Sequence, residues 1–164
     1  MAEITLKGNP VHTSGDLPAE GDKITDFKLV DVDLAEKSLA DFSGKKKILN
    51  IYPSLDTPVC ATSVKNFHAK AADRDDVVVL NISADLPFAS KRFCGAEGVE
   101  NAEVLSSFRS GFGEDYGVLI IDGPLAGLMS RAVIVVDEND KVVHTQQVGE
   151  ITDEPDYDAA LAAV

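Results

Sequence analysis

Tryptophan is absent from this 164-residue chain, cysteine occurs twice and histidine three times. Lys and Arg together number 15, against 28 Asp and Glu. Each shortage excludes something. Two cysteines are too few for a disulfide scaffold. A net charge of −13 repels a phosphate backbone, so no nucleic-acid partner is expected. No apolar run comes near the roughly 18–20 residues of a membrane helix. The first 25 residues carry no basic cluster followed by an apolar stretch. Neither a membrane nor a secretory address is therefore expected, and a cytoplasmic location is. His12, His68 and His144 are scattered, without ligand spacing to a cysteine or carboxylate, so no metal site is expected.

What remains is the balance of a protein with a real core: 45% hydrophobic and 26% charged residues, read as a single domain over 1–164. Residues 3–7 (EITLK) and 11–14 flank Gly8-Asn9-Pro10 and predict a short N-terminal β-hairpin. Residues 27–32 predict a strand, and the acidic stretch 34–42 tolerates a helix. The segment 47–52 (KILNIY) predicts a buried strand ended by Pro53. A helix follows from Pro58 to about residue 72, with Val64, Phe67 and Ala71 on one face. Val77–Ser83 (VVVLNIS) suits a parallel, doubly covered strand. A short helix at 87–94 comes next, then a glycine-rich, loop-like stretch at 98–130. Residues 131–137 and 141–148 form an antiparallel pair about the turn Glu138-Asn139-Asp140. An Ala-rich helix at 155–164 closes the chain, opened by Glu154 and Asp156. A βαβ unit followed by a ββα unit is the thioredoxin-like α/β arrangement, a central mixed β-sheet flanked by helices.

The informative segment is 53–60 (PSLDTPVC), between the end of a strand and the start of a helix, where open α/β sheets place their ligands. Thr57 is a candidate N-cap and Pro58 takes the favoured first helical position. Cys60 then falls in the first turn, where unpaired N–H groups and the helix dipole favour a thiolate. A buried small apolar cysteine is the competing reading. A dithiol exchanger would carry Cys-x-x-Cys, but the residue at 63 is Ser63. It would also carry a proline before the strand that begins at Arg131, where Ser130 stands. One thiol at a helix start with a cation on a facing strand suggests oxidation of the cysteine by a small molecule.

The sequence resembles the thiol peroxidase branch of the peroxiredoxins, of the atypical two-cysteine type. The likeness runs through 53–60 (PSLDTPVC), 82–88 (ISADLPF), 92–98 (RFCGAEG), 131–140 (RAVIVVDEND) and 152–160 (TDEPDYDAA), and covers essentially the whole chain. It implies a peroxidase reducing hydrogen peroxide and organic hydroperoxides. Cys60 would be the peroxidatic cysteine and Cys94, 34 residues on, the resolving cysteine that forms a disulfide with it within one chain. Thr57 and Arg131 would complete the polar site, and Pro53 would shield the sulfur. The resemblance further implies a thioredoxin-like reductant, a homodimer, and no metal or prosthetic group. A reading from another class is a redox sensor or binding protein that uses the same cysteine pair without turnover.

Thiolate chemistry alone does not supply the rate. Lowering a thiol from pKa ~8.5 to about 6 raises the thiolate from about 3% to roughly 90% at pH 7. With a Brønsted slope of about 0.45 the weaker base loses about 13-fold in nucleophilicity, leaving a net gain of two- to threefold. Groups that place the peroxide and stabilise the breaking O–O bond must do the rest. Arg131 suits this with a fixed fork of donors, against the reading of a solvated strand-end cation. The Thr57 hydroxyl can accept from the peroxide while donating to sulfur, against the reading of a plain N-cap. Forming a Cys60–Cys94 bridge is expected to need local unwinding around both cysteines, with Gly95 and Gly98 weakening the second helix's end. Closing that loop restrains the unfolded chain by roughly 3.8 kcal/mol on the chain-entropy account. Phe88 and Phe93 are expected in the core, or in an apolar pocket preferring organic hydroperoxides. Gly111-Phe112-Gly113-Glu114 lacks the third glycine of a nucleotide loop.

Overall fold

The computed structural model describes residues 1–99 and 101–164. A hairpin comes first, β1 (Glu3–Leu6) and β2 (Asn9–His12), paired antiparallel. Lys7 and Gly8 between them have φ of 51° and 81°, the left-handed pair that a two-residue type I′ turn requires. Then follow β3 (Leu29–Val30), β4 (Glu36–Lys37), a 3-10 turn (Leu39–Phe42), β5 (Lys46–Ile51), α1 (Pro58–Ala71) and β6 (Val77–Ser83). After these come α2 (Pro87–Glu97), β7 (Glu103–Ser106), α3 (Phe112–Asp115), β8 (Ala132–Val136), β9 (Val142–Gln147) and α4 (Tyr157–Ala162).

Strands β3 to β9 make one mixed seven-stranded sheet in the order β4-β3-β7-β6-β5-β8-β9. The centre is parallel, β6 lying between β5 and β7, and β8 and β3 add antiparallel on either side. Alternation along β5 decides what each face packs against. Ile48 joins Phe67 of α1 and Ala160 of α4, and Tyr52, just past the strand, joins Cys60 and Val64 of α1 and Phe93 and Cys94 of α2. Leu49 and Ile51 turn to the other face and meet Phe27, Leu29, Phe112 and Tyr116. Three helices thus cover one face, while the short α3 and the irregular chain before β5 cover the other. The hairpin packs separately: Ile4 and Val11 bury themselves against Ile120 and Ile151. Among the described residues no helix is long and apolar enough to cross a membrane.

Several expectations need correction. No α-helix forms over 34–42, and only Leu39–Phe42 is helical, as a 3-10 turn. Leu34 has φ of 68°, and the Asp31 carboxylate accepts from the N–H groups of Asp33 and Ala35, which turns the chain into β4 and a 3-10 turn instead. The strand expected at 27–32 shrinks to Leu29–Val30. The stretch 98–130, of which position 100 lies outside the described residues, holds a fully paired strand, β7, and the helix α3. Phe93 is buried, but Phe88 is 67% exposed. On α2 the inward face goes to Pro87, Ser90, Phe93 and Cys94, spaced by three and four, and Phe88 falls outside it.

Candidate active site

The loop 53–57 leaves the C-terminal end of β5 and is held by one carboxylate. Asp85, just past β6, accepts from the Ser54 hydroxyl (2.7 Å), the Leu55 N–H (2.8 Å) and the Ser83 hydroxyl (2.7 Å). Its own carbonyl receives the hydroxyl of Ser106, the last residue of β7. Three strand ends therefore meet at Asp85, and the loop that delivers Cys60 is pinned to them. Pro53 is buried at the head of this loop.

Thr57 takes the N-cap position of α1, with extended φ and ψ of −107° and 144°, and Pro58 is the first helical residue. The hydroxyl does not cap. It donates to the Ser54 carbonyl (2.9 Å), so the proton expected for sulfur is committed within the loop and only the oxygen's lone pairs remain for an incoming O–H. Thr57 is thus the N-cap by position, without the side-chain bond of a capping residue.

Cys60 occupies the first turn of α1 and is fully buried. Arg131, immediately before β8, is 2% exposed, which removes the reading of a solvated strand-end cation. Its Nη2 lies 3.2 Å from Cys60 Sγ and its Nε donates to the Ile151 carbonyl at 2.8 Å. Nη1 is buried and has no hydrogen-bond partner among the described residues. A guanidinium has donors only, so the sulfur is the acceptor in this contact. The carbonyl of Arg131 is itself held by the N–H of Val148 (3.0 Å) and by Gln147 Nε2 (3.0 Å).

A buried polar ladder anchors the same turn from beneath. Ser63 donates to the Cys60 carbonyl (2.8 Å), Asn50 Nδ2 to Ser63 Oγ (3.2 Å) and to Asn81 Oδ1 (3.0 Å), and Asn81 Nδ2 to the Glu103 carbonyl (3.1 Å). Sequence reasoning missed this ladder. Its signal was present as Leu-Asn-Ile in both β5 and β6, and Asn50 stands in register with Asn81.

Cys94 is buried in α2 and shares the apolar cluster of Cys60 and Tyr52; neither cysteine is in a disulfide. The Cys94 carbonyl accepts from the N–H groups of both Gly98 and Val99. Gly98 has φ of 69°, the left-handed residue that closes a helix end, so it seals α2 rather than weakening it. Two exposed ion pairs also run between the two cysteine-bearing segments: Arg92–Asp56 (3.3 Å) and Lys65–Glu97 (3.3 Å). The Tyr52 hydroxyl sits in this cluster with no hydrogen-bond partner among the described residues. Burial, and next the charge of Asp85, push its pKa well above the ordinary tyrosine value.

A groove of about 380 Å³ opens beside the first turn of α1, lined by Leu55, Thr57, Pro58, Ala61, Arg92 and Phe93 among others. A larger hollow of about 640 Å³ lies at the opposite, N-terminal ends of β5 and β6, by Lys45, His68 and Arg74, and contains neither cysteine. Neither cysteine lines the smaller groove, but Thr57, Pro58 and Ala61 of the Cys60-bearing turn and Arg92 and Phe93 beside Cys94 do. No group of three or more His, Cys, Asp or Glu among the described residues is placed to hold a metal ion.

The Redoxin family model matches residues 19–161. A thiol peroxidase of Corynebacterium glutamicum is 56% identical over 164 residues, covering 100% of this chain and 99% of that protein. A thiol peroxidase of Mycobacterium tuberculosis is 54% identical with the same coverage. Among solved structures, a peroxiredoxin-like protein from Aquifex aeolicus superposes with a TM-score of 0.92 at 41% identity, over 99% of this chain and 95% of that one. A thiol peroxidase from Chromobacterium violaceum gives 0.87 at 26% identity, over 98% and 93%.

Proposed function

We propose that this chain, which belongs to the redoxin family and within it to the thiol peroxidases, reduces hydrogen peroxide and organic hydroperoxides through Cys60 and Cys94. The Cys60 thiolate attacks one peroxide oxygen and the O–O bond breaks. Sulfur keeps the hydroxyl as a sulfenic acid, and the departing alkoxide or hydroxide takes a proton to leave as alcohol or water. The Cys94 thiol then displaces that hydroxyl as water and forms the Cys60–Cys94 disulfide. A dithiol reductant of thioredoxin type returns both thiols and is itself oxidised to a disulfide.

The observation that carries this reading is Arg131 Nη2 at 3.2 Å from Cys60 Sγ with Nη1 unpartnered among the described residues. One guanidinium can hold the nucleophile with one nitrogen and receive an oxygen of the peroxide with the other, so its charge faces both the atom that gives electrons and the bond that accepts them. Thr57, its proton spent on Ser54, offers an acceptor for the peroxide O–H. Pro53 shields the sulfur.

Condensation with Cys94 brings together side chains carried by two separate helices. The last turn of α2, closed by the two N–H bonds to the Cys94 carbonyl, is the piece that must open. A thiol that must be returned to its reduced form belongs in a reducing compartment, which supports a cytoplasmic location. Exposed Leu86 and Phe88, at the start of α2, and Phe108, after β7, stand on two segments tied by the Ser106 hydroxyl, an apolar surface that supports a homodimer.

A thiol count before and after one equivalent of peroxide tests the scheme. Wild type should lose both thiols to a bridge within one chain, and Cys94→Ser should stop at a sulfenic acid that dimedone traps. With a thioredoxin system supplied, wild type should consume many equivalents of peroxide per chain. A single oxidation without turnover would defeat the enzyme reading.

A further inference from the structure

The N-terminal hairpin looks peripheral, yet it is fastened to the residue that holds Arg131. The turn 149–152 lies against β1: Thr5 N–H donates to the Gly149 carbonyl (2.8 Å) and Ile151 N–H to the Thr5 carbonyl (2.9 Å). Glu150 completes the fastening with its side chain. Oε1 accepts from the Gly8 N–H (2.8 Å) and the Thr5 hydroxyl (3.1 Å), both on the hairpin. Oε2 accepts from the N–H (3.0 Å) and hydroxyl (2.9 Å) of Thr152, both on the turn. One oxygen thus serves each side. The Gly8 N–H is available because the second residue of a type I′ turn makes no bond within its own hairpin. The Thr152 N–H first, and then the Gly8 N–H, hold the Glu150 carboxyl down at about 2, so it is ionised throughout the physiological range. Hydrogen bonds to an ionised acceptor are about twice as strong as neutral ones.

Between Glu150 and Thr152 stands Ile151. Its side chain is buried with Ile4 and Val11 of the hairpin, and its carbonyl accepts from Arg131 Nε at 2.8 Å. A guanidinium is planar and rigid, so fixing Nε fixes the directions of Nη1 and Nη2 as well.

We propose that Glu150 is a positioning residue for the peroxide reaction: by clasping the hairpin to the 149–152 turn it sets the Ile151 carbonyl, and through it the aim of the Arg131 guanidinium. This rests on the reading of Arg131 as the cation that meets the peroxide. A misplacement of about 1 Å in such a group can cost about 100-fold in rate.

The test is a double-mutant cycle on the full chain, read as the rate constant of Cys60 oxidation by hydrogen peroxide in a single turnover, with melting temperatures alongside. Glu150→Ala should slow oxidation roughly tenfold or more in the wild-type background. In an Arg131→Lys background, where the planar fork is gone, the same change should cost no more than about twofold. Glu150→Gln, which keeps the shape but cannot accept two donors at both ends, should fall between and serves if the alanine variant folds poorly. Wild-type rates in both Glu150 variants, or an equal loss in both backgrounds, would overturn the proposal. Should Arg131→Lys alone leave oxidation unchanged, the reading of Arg131 fails and the clasp falls with it, an outcome distinct from a sensitive Arg131 and an insensitive Glu150.

Discussion

Arg131 reaches Cys60 across the fold, Nη2 to Sγ at 3.2 Å, with both side chains closed off from solvent. Burial changes what the contact is worth. Salt and water screen it far less than an exposed pair. It also changes what a substitution must cost.

Arg131→Lys keeps the positive charge but cannot serve both the Ile151 carbonyl and the sulfur from one plane. Peroxidase turnover should fall by about two orders of magnitude or more, in line with removal of a preorganised donor from a transition state. Folding should suffer as well, by about 1–3 kcal/mol, because one buried acceptor loses its partner. That loss is larger than expected of an exposed arginine. Urea denaturation beside steady-state kinetics separates the two effects, and unchanged turnover in the folded variant would remove Arg131 from the mechanism.

Tyr52 presents the opposite case, a buried polar atom without compensation. Among the described residues its hydroxyl has no hydrogen-bond partner, in the cluster that contains both cysteines. Tyr52→Phe removes a desolvated group and keeps the ring. Stability should stay level or rise by about 1 kcal/mol, the reverse of the usual cost of trimming a buried side chain. A fall of that size in thermal or urea unfolding would show that the hydroxyl has a partner after all.

The parts of this fold that were legible in the sequence are those with a strict local period. The helix from Pro58, the strand Val77–Ser83 and the paired strands about Glu138-Asn139-Asp140 stand close to where their patterns put them. What escaped lacks such a period. β7 has four residues set among glycines, and its strand identity comes from pairing with β6. Cys60 and Thr57 could be placed at the head of α1 because both lie in one short segment. Asp85 and Glu150 were not, because each gathers donors from chain segments far apart. Glu150 meets Gly8 across 142 residues, and no spacing rule reaches that distance. Thr57 shows a finer limit: its position was right, but the direction of its proton depended on the Ser54 carbonyl.

His12 makes a further attachment of the hairpin, and this one depends on a titrating group. Its Nδ1 lies 2.7 Å from Asp122 Oδ2, its N–H donates to Asp122 Oδ1 at 2.7 Å, and Nε2 faces Glu3 at 3.4 Å. The hydrogen bond to Asp122 raises the His12 pKa above its ordinary 6.5 and lowers that of Asp122 below 3.8. The signs follow by linkage. A histidine raised on folding contributes stability that is fully present below 6.5 and is lost as pH rises through the raised value. A carboxylate lowered on folding contributes above 3.8 and is lost as pH falls through the lowered value. The attachment is therefore strongest in mildly acidic solution, and the hairpin should loosen as pH rises from below 6.5 through the raised His12 value. Amide exchange over β1 and β2 should quicken across that range by more than its intrinsic pH dependence. His12→Gln should show only the intrinsic change, and in Asp122→Asn the His12 ring resonances should titrate closer to 6.5. Wild-type and His12→Gln hairpins with the same excess would show that the pair carries no pH-dependent hold.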